Sequence, residues 1–540
     1  MPSILSISRV SEARVRVTCP DKSVLYELSD RFTFEVPGAK FSPAYKWRQW
    51  DGKIRIFDLR NCQLPYGLHP RVQEFAEENG YECQYADDEL GSLTDFSEDE
   101  AKRFFKYLNP HSQGEAIEVR EHQIKPIIQA IRNRRLLILS PTSSGKSLVA
   151  YCLMRYYLQK TKGKFLIVVP TTALVEQMYK DFADYSSANG WLASDNCHII
   201  YSGKEKEPPA GKRVIISTWQ SVFRLPKSYF APFETCFCDE VHLAVAKSLN
   251  GIMDNLVNCR YRFGATGTVQ DSKTNVMQLE GMFGKLVKAI TTKELMDKKM
   301  VADLTIKCLV LKYPEAACKA LKKHTYEDEV GWLVTLEARN RFITNLALSM
   351  KGNTLILFQF TDKHGKPLHA MLKERCAADR DVFYVDKDVK TAVREEIRVK
   401  TEVATDAIIV ASFGTFSTGV NIRNIDNIVF ASMTKSKIRV LQSIGRGLRV
   451  SSRKTSVTLY DIIDDLQHKA HKNFALTHSE ERVRYYNTEK FKIKSYKIAL
   501  RVPDSAIPSL KTVHAQILEP VEAYLDNSIF HLSLPKTDEV

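Results

Sequence analysis

The sequence of 540 residues predicts an α/β protein with two tandem doubly wound parallel-sheet domains and a small α+β domain before them. Apolar strand-like segments alternate with helical segments over residues 115–301, and the alternation restarts over residues 302–503. Residues 1–86 have the pattern of a shorter unit with four strands and one helix. Residues 87–114 are predicted to be an acidic linker, and residues 504–540 an irregular C-terminal extension.

The formal charge of +14 is distributed unevenly along the chain. The first 100 residues carry a net charge of −6, whereas the remaining residues carry +20. No Lys or Arg occurs between Val72 and Glu100, which is why a solvated linker is expected after the first unit. The strongly basic body predicts a polyanionic partner such as a nucleic acid.

The composition argues against membrane and secreted proteins. No apolar run approaches the roughly 20 residues that a membrane span needs, and the first residues lack a basic-then-apolar export signal. A soluble cytoplasmic protein without a membrane partner is therefore predicted. Eleven cysteines occur without a CxxC pair, so we expect neither disulfides nor structural zinc. His468, His471 and His478 have metal-like spacing without a supporting cluster, and an exposed helix face is expected there.

The N-terminal unit contains a segment in which cations alternate with tryptophans. Its sequence KWRQWDGKIR covers residues 46–55 and includes Trp47 and Trp50. Aromatic rings can stack on bases while neighbouring cations meet phosphates, so the segment is a candidate nucleic-acid contact. The equally supported alternative is that both tryptophans pack the core of a small domain. Strands are predicted over residues 15–18, 31–36, 53–58 and 81–85, and a helix over residues 71–79.

The segment SPTSSGKS, residues 140–147, has the composition and position of a phosphate-binding loop. It follows a strand-like run, residues 136–139, and precedes a helical stretch. Backbone N–H groups and a helix N-terminus can surround a phosphate chain, Lys146 can reach the β- and γ-phosphate oxygens, and the Ser147 hydroxyl can hold Mg²⁺. Ser140 replaces the first glycine of the usual pattern.

The segment DEVH, residues 239–242, follows another apolar strand, residues 236–238. Asp239 is the candidate metal ligand, and Glu240 beside it is the candidate group for the attacking water. An acidic pair alone is usually a solvated turn. Two such segments in this order, each after a strand, predict ATP hydrolysis with ATP and Mg²⁺ as cofactors.

Polar segments also follow other predicted strands of the first half. They are PTTALVEQM at residues 170–178, TWQS at residues 218–221 and the end of FGATGT at residues 263–268. Because the sites of doubly wound sheets lie at the carboxyl ends of their strands, these segments are expected at one edge.

The second half carries SFGTFSTGVNI at residues 412–422 and QSIGRGLR at residues 442–449. Gln442, Arg446 and Arg449 are spaced i, i+4 and i+7, which predicts roughly one helix face. Such arginines can stabilise charge on a transferring γ-phosphoryl group only when the two domains close, and a salt-bridged surface helix is the alternative. The strands are predicted over residues 305–311, 354–358, 381–385, 407–411, 427–431 and 456–460.

In order, SPTSSGKS, VVPTTALVEQM, STWQS, DEVH, GATGT, LILFQF, STGVN and QSIGRGLR resemble the motif series of the superfamily-two helicases, over residues 115–465. The small N-terminal unit with its WDG element resembles that of the recombination helicases of T-even-like bacteriophages. This resemblance implies two RecA-like domains and an ATP-dependent DNA helicase that unwinds or remodels D-loops, R-loops, forks and junctions in recombination, repair and replication. The implied partners are branched or forked DNA and RNA–DNA hybrids, with a monomer favoured.

The resemblance also implies roles for individual residues. The catalytic set would be Lys146, Asp239, Glu240, Arg446 and Arg449, with Ser147 and Asp239 holding Mg²⁺. The nucleotide would be bound by Gln123, Ser140, Pro141, Thr142, Ser143, Ser144, Gly145, Lys146, Ser147 and Gln442. Nucleic acid would be contacted by Thr171, Thr172, Thr218, Gln220, Thr418 and Gly419, in addition to Trp47 and Trp50. Thr266 and Thr268 would couple hydrolysis to domain motion, and Ser144 replaces a further loop glycine.

Two other functions remain open beside the helicase. One is a double-stranded DNA translocase or annealing motor that moves without separating strands. The other is an ATP-gated nucleic-acid binding module, against which the complete catalytic set argues. Residues 482–501 hold seven cations and one Glu; they are interpreted as a second nucleic-acid surface, with a solvated helix face as the alternative.

Overall fold

The computed structural model describes residues 3–36, 38–87, 90–243, 246–268, 273–322, 324–419, 422–449 and 454–508. The chain divides into two compact units, one ending at Ile290 and the other beginning at Thr291. This division lies before the boundary predicted at residues 301 and 302. No helix within the described residues is long and apolar enough to cross a membrane.

The N-terminal domain is a small α+β unit, as predicted. Its elements are β1 (Ile4–Arg9), β2 (Arg14–Thr18), α1 (Lys22–Arg31), β3 (Thr33–Glu35), α2 (Pro43–Lys46), β4 (Lys53–Arg55), β5 (Gln63–Pro65), α3 (His69–Asn79) and β6 (Glu82–Tyr85). The main sheet has the order β5-β2-β1-β6, and β3 pairs with β4. The strand predicted over residues 31–36 is confined to β3, because α1, which Asp21 caps, extends to Arg31.

The prediction of an acidic linker over residues 87–114 is wrong for much of that range. Residues there form α4 (Glu98–Leu108), and a hairpin follows with β7 (His111–Ser112) and β8 (Glu115–Ala116). Ser97 and Glu100 make a capping box at the start of α4, so acidic residues belong in its first turn. One side of α4 is buried in the core of the next domain through Ala101, Phe105 and Leu108. The linker interpretation relied on the acidic composition and overlooked this amphipathic i, i+4, i+7 pattern.

The first parallel-sheet domain is doubly wound, as predicted. It continues with α5 (Glu121–Asn133), β9 (Arg135–Leu139), α6 (Lys146–Lys160), β10 (Lys164–Val169), α7 (Thr172–Tyr185), α8 (Ala193–Asn196), β11 (Cys197–Ile200), β12 (Val214–Thr218), α9 (Trp219–Val222), α10 (Lys227–Phe230), β13 (Phe233–Cys238), α11 (Ala246–Asn255), β14 (Tyr261–Thr266), α12 (Lys273–Phe283) and β15 (Leu286–Lys288). Its seven strands have the order β11-β12-β10-β13-β14-β9-β15, and their pairings are parallel. Leu136 and Ile138 of β9 face one core and Leu137 the other, so both faces are covered.

The second parallel-sheet domain repeats this architecture. Its elements are α13 (Thr292–Asp297), β16 (Asp303–Lys312), α14 (Glu315–Leu321), α15 (Tyr326–Thr335), α16 (Glu337–Ser349), β17 (Thr354–Phe358), α17 (Lys366–Arg375), β18 (Val382–Val385), α18 (Thr391–Val403), β19 (Ile408–Ser412), α19 (Phe413–Gly419), β20 (Asn427–Phe430), α20 (Lys437–Gly447), β21 (Ser456–Asp465), α21 (Phe474–Thr488) and β22 (Lys492–Ala499). The strand order is β18-β19-β17-β20-β21-β16-β22, again with parallel pairings.

The basic stretch over residues 482–501 is not one surface, which corrects that interpretation. Arg482 is fully buried and donates to both carboxylate oxygens of Asp461 at 2.7–3.1 Å, so its charge is neutralised inside the domain. Three later lysines lie exposed on the edge strand β22: Lys492, Lys494 and Lys497. Lysines on an edge strand oppose its pairing with another sheet.

The segments around β21 and after β22 also differ from prediction. His468 and His471 pair as an antiparallel bridge in a turn, and only His478 lies on a helix, α21. After Pro503 the chain still contacts its domain: Ile507 is buried, and the indole of Trp332 donates to the Ala506 carbonyl at 2.7 Å. The rest of the predicted C-terminal extension, residues 509–540, lies outside the described residues.

Candidate nucleotide and nucleic-acid site

The predicted phosphate loop and acidic segment meet at one edge of the first sheet. Residues 140–147 follow β9, Asp239 follows β13, and Gly267 follows β14, which lies between the two. The Ser140 N–H donates to the Thr266 carbonyl at 2.9 Å, so the loop begins against the end of β14. The parallel order of the strands thus assembles the motifs that the sequence separates.

Hydroxyl groups compensate for the missing glycines of the loop. The Ser140 hydroxyl donates to the Ser144 hydroxyl at 2.7 Å, and Ser144 donates to the Pro141 carbonyl at 2.7 Å. Both serines are buried, and these bonds satisfy them without solvent. Ser143 and Gly145 have φ values of 71° and 85°, which direct the loop into α6 through the left-handed region.

Gln123 is positioned against the phosphate loop. Its amide nitrogen donates to the Ser144 carbonyl at 3.0 Å, and its amide oxygen accepts from the Arg120 N–H at 3.0 Å. A Cβ on Gly145 would lie 2.2 Å from the Gln123 amide nitrogen, so any other residue there would displace this amide. Pro141 and Thr142 are half-buried in the same loop. The role of Gln123 in binding the nucleotide stays a prediction.

Lys146, Asp239 and Glu240 form the charged centre of the site. The Lys146 ammonium lies 3.3 Å from a Glu240 carboxylate oxygen and also contacts the Ser140 carbonyl at 3.4 Å. Burial raises the pKa of Asp239 to about 7, and the neighbouring charge of Glu240 adds to this shift. Burial opposes ionisation of Glu240 as well, but the charge of Lys146 lowers the pKa of that carboxyl. Glu240 has a φ of 49°, which is a strained backbone for a non-glycine residue.

His242 connects this centre to Thr266 at the end of β14. Its Nδ1 lies 3.4 Å from a Glu240 carboxylate oxygen and 2.5 Å from the Thr266 hydroxyl, which donates to the Thr268 carbonyl at 2.7 Å. Burial lowers the pKa of His242, so the ring favours its neutral form. The Gly267 N–H approaches Glu240 at 3.5 Å. The structure therefore brings Thr266 and Thr268 together with the acidic segment, and His242 is a connecting residue that the sequence reasoning missed.

Tyr185 is a second residue that the sequence reasoning missed. Its hydroxyl lies 2.9 Å from the Ser147 hydroxyl, although the two residues are far apart in sequence. Burial raises the pKa of Tyr185, so the phenol stays protonated at neutral pH. Tyr185 ends α7, whose first turn Thr171 caps by accepting from the Leu174 N–H at 3.3 Å. The predicted metal-binding serine and a predicted nucleic-acid threonine thus contact the same helix.

The predicted nucleic-acid residues of the first domain lie at the neighbouring ends of β10 and β12. Thr172 and Gln220 are exposed there, and the Gln220 amide contacts the Pro170 carbonyl at 3.4 Å. Thr218 is different, because its side chain is buried and its hydroxyl lies 2.9 Å from Ser221. In the N-terminal domain Trp47 is exposed, whereas Trp50 is half-buried and donates to the Lys53 carbonyl at 2.8 Å.

The second domain places its predicted residues at two sites. Gln442 is buried on α20 and Arg446 is half-buried one turn later. α20 ends at Gly447, and Arg449 lies in the turn that follows, where its N–H donates to the Arg446 carbonyl at 3.5 Å. Thr418 and Gly419 end α19, but their side chains lie outside the described part of the chain.

A cleft of about 550 Å³ opens at the carboxyl ends of β17 and β19 in the second domain. Three cations and several hydroxyl or amide groups line it, and none of them was predicted individually as a site residue: Gln359, Thr361, Lys387, Arg394, Ser412, Thr415 and Arg439. Ser412 donates to Thr415 at 2.8 Å beside α19, which also carries Thr418. A polar basic cleft of this kind is suited to phosphate oxygens.

Comparisons with known proteins identify the family. The model of the type III restriction enzyme res subunit matches residues 110–271, and that of the helicase conserved C-terminal domain matches residues 338–451. The model of the N-terminal domain of DNA helicase UvsW matches residues 9–86. The ATP-dependent DNA helicase uvsW of Enterobacteria phage T4 is 36% identical over 494 residues, which cover 89% of this chain and 96% of that protein. The chain belongs to the UvsW helicase family.

As a UvsW family member, the chain is an ATP-dependent helicase of superfamily two that acts on nucleic acid. Two restriction enzymes share its fold. The DNA-bound Type ISP enzyme LlaBIII has a TM-score of 0.53 at 14% identity, covering 78% of this chain and 34% of that one. A fragment of a type I HsdR subunit from Vibrio vulnificus has a TM-score of 0.53 at 16% identity, covering 79% and 74%. At such identities the likeness concerns the fold alone.

Proposed function

We propose that this helicase hydrolyses ATP at the edge formed by β9, β14 and β13, and uses the cycle to unwind or remodel branched DNA. D-loops, R-loops, forks and junctions are the proposed substrates, and recombination, repair and replication are the proposed processes. The 3.3 Å contact between Lys146 and Glu240 carries the proposal. It brings a cation for phosphate and a carboxylate for water together across the end of β14, which lies between β9 and β13.

Binding of ATP would separate this pair. The β- and γ-phosphates offer Lys146 several anionic oxygens in place of one carboxylate, and the N–H groups of residues 142–147 add donors at the start of α6. Glu240 is then free to orient a water molecule and take its proton. His242 and the Gly267 N–H contact the same carboxylate. Separation of Glu240 from Lys146 would therefore change the contacts of the segment that holds Thr266 and Thr268.

Mg²⁺ is proposed as the second cofactor, because the residues present fit it. The Ser147 hydroxyl and the Asp239 carboxylate are the oxygen ligands that Mg²⁺ favours. The raised pKa of Asp239 reflects a buried anion beside another anion, and a divalent cation would favour its ionised form. When bound, Mg²⁺ neutralises charge on the β- and γ-phosphate oxygens. Tyr185 would orient Ser147 by accepting a hydrogen bond from its hydroxyl group, which leaves the serine lone pairs directed toward the metal.

Arg446 and Arg449 are proposed to act on the γ-phosphoryl group when the two domains close, with Gln442 contacting the nucleotide. A guanidinium group offers paired donors at fixed geometry and stays charged, which suits the transition-state charge of phosphoryl transfer. Hydrolysis would then depend on domain closure.

The proposed nucleic-acid path runs along both sheets. Thr171, Thr172 and Gln220 would contact the strand on the first sheet, with Thr218 supporting them from its buried position. Thr418, Gly419 and the basic cleft would contact it on the second. Contacts to phosphates tolerate any base sequence, and alternate closing and opening of the domains would advance the strand stepwise.

Strand-displacement assays on matched forked, D-loop, R-loop and linear substrates test this proposal. We expect ATP-dependent release of a labelled strand, faster from branched than from linear DNA. Displacement of a bound protein roadblock without release of any strand would contradict unwinding and support a translocase instead.

A further inference from the structure

Two aromatic side chains on the N-terminal domain face solvent. Phe41 is 83% exposed, the largest exposed fraction among the large hydrophobic side chains of the described residues, and Trp47 is 71% exposed. Neither belongs to the hydrophobic core of that domain, which includes Phe32 and Phe57 instead. Removing both rings from water would release a substantial hydrophobic free energy, so the pair is suited to contact a partner.

The segment that carries the two rings is folded and not a loose loop. Phe41 ends a short 3₁₀ turn, and Trp47 follows α2 and donates from its N–H to the Pro43 carbonyl at 2.9 Å. Gly52 has a φ of 79° and packs against the same segment, since a Cβ there would lie 3.0 Å from the Tyr45 ring. The rings are therefore displayed on a structured turn.

Charge around the rings indicates the class of partner. The exposed cations Lys40, Lys46 and Arg48 flank the two aromatics, and no acidic residue occurs between Gly38 and Trp50. Rings interleaved with cations complement a base beside its phosphates. This arrangement favours a nucleic acid over a protein or a second copy of the chain.

Side-chain contacts at two places hold the N-terminal domain against the first sheet domain. Arg71 donates to the buried carboxylate of Glu280 on α12 at 3.0–3.3 Å. Arg135, the first residue of β9, is bonded to a Glu12 carboxylate oxygen at 3.0 Å, and its guanidinium lies 3.9 Å from the centre of the Tyr66 ring. The domain that carries the aromatic turn is thus attached to the strand that leads into the phosphate loop.

We propose that Phe41 and Trp47 form a strand-separating pin that stacks on the unpaired bases at a DNA junction. Because the pin is fixed to the first domain, a strand drawn stepwise past that domain would be parted from its complement at the rings. Trp50 has a different task, since its indole holds the turn through Lys53. This inference rests on the proposed function and adds how and where the branch is recognised.

The pin is tested in the full-length chain by the double substitution Phe41→Ala with Trp47→Ala. We expect the number of base pairs unwound per ATP hydrolysed on a fork to fall by about tenfold, because the variant loses the stacking of both rings on bases. Tyr26→Ala is the matched control, because Tyr26 is a 61% exposed aromatic on α1 of the same domain. It should keep the wild-type ratio.

A spectroscopic measurement separates stacking from a general loss of binding. With 2-aminopurine at the fork junction, the wild-type protein and the Tyr26→Ala control should quench its fluorescence, whereas the double variant should not. Equal unwinding ratios and equal quenching in wild type and double variant would overturn the pin. A double variant that changes the sedimentation coefficient but not the quenching would show a protein contact and also overturn it. If the wild-type protein releases no strand from any substrate, the proposed function fails first.

Discussion

At the scale of single residues, the contact between Lys146 and Glu240 shows why adjacent motifs have separable tasks. Lys146 is the group that phosphate would attract, whereas Glu240 is expected to act on water alone. The two form one ion pair here, so substitution of either removes the same contact. Their different tasks become visible only when binding and turnover are measured separately.

Glu240→Gln should bind ATP with near-wild-type affinity but lose turnover by about 10²–10⁴-fold, because the amide cannot take a proton from water. The measurements are binding of a fluorescent ATP analogue and DNA-stimulated hydrolysis. Lys146→Ala is the comparison, and it should weaken nucleotide binding itself. Wild-type hydrolysis by Glu240→Gln would remove the assignment.

Tyr185→Phe deletes the hydroxyl that contacts Ser147 but keeps the ring that packs 5.5 Å from the Tyr151 ring. We expect the Mg²⁺ concentration for half-maximal binding of a non-hydrolysable ATP analogue to rise about tenfold, as for other residues that orient metal ligands. Binding without Mg²⁺ and the melting temperature should stay close to wild type. Tyr179→Phe, on the same helix, should leave the Mg²⁺ dependence unchanged. If both variants behave alike, Tyr185 does not orient Ser147.

At the scale of elements, α20 shows how the end of a helix limits what a sequence spacing predicts. The spacing of Gln442, Arg446 and Arg449 predicts three residues on a helix face, but the helix ends at Gly447. Gly447 lies so close to Ile428 that a Cβ would approach its Cδ1 atom to 2.4 Å. Arg446 therefore sits on a helix, and Arg449 on the segment that follows it.

Arg446→Ala should bind ATP and DNA but hydrolyse ATP about 10³–10⁵-fold more slowly, the usual cost of losing an arginine finger. Single-turnover hydrolysis with saturating DNA is the measurement. Arg484→Ala serves as the control, because Arg484 is an exposed arginine of α21 in the same domain, paired with Glu481. An unaltered hydrolysis rate in Arg446→Ala would mean that α20 is only a surface helix.

At the scale of the whole molecule, the N-terminal domain and the first sheet domain belong to one compact unit. Gly67 lies against the chain at the end of α12, where a Cβ would come within 2.1 Å of the Glu280 carbonyl oxygen. A Cβ on Gly281 would likewise lie 2.9 Å from the Pro65 side chain. Because both surfaces carry a glycine, the two domains can approach closely. The N-terminal domain is therefore docked on the first sheet domain and not held by a flexible linker alone.

Gly67→Ala should lower the free energy of unfolding by about 1–3 kcal/mol, because the added methyl group overpacks this interface. Urea unfolding followed by circular dichroism measures the change. Gly251→Ala on α11 is the control, since no atom lies within 4 Å of its Cβ position, and alanine should there be neutral or slightly stabilising. Equal stability of the two variants would contradict tight docking.

The sequence by itself determined the two parallel sheets, their order in the chain and the polar segments at their strand ends. These depend on local signals: apolar strand runs, helix periodicity and the composition of loops that follow strands. For the same reason Lys146, Ser147, Asp239 and Glu240 could be named beforehand. The sheet order β13-β14-β9 then brought them to one edge, because the carboxyl ends of parallel strands lie on the same side of a sheet.

Only the tertiary structure decided which charges face solvent and which residues support the site. Arg482 resembles a surface cation in sequence until Asp461 buries it, and the acidic segment after residue 87 contains a helix whose apolar side faces a core. Tyr185 reaches Ser147, and Arg71 reaches Glu280, across 38 and 209 residues. Such contacts depend on packing between distant segments, and no local pattern encodes a partner that far away.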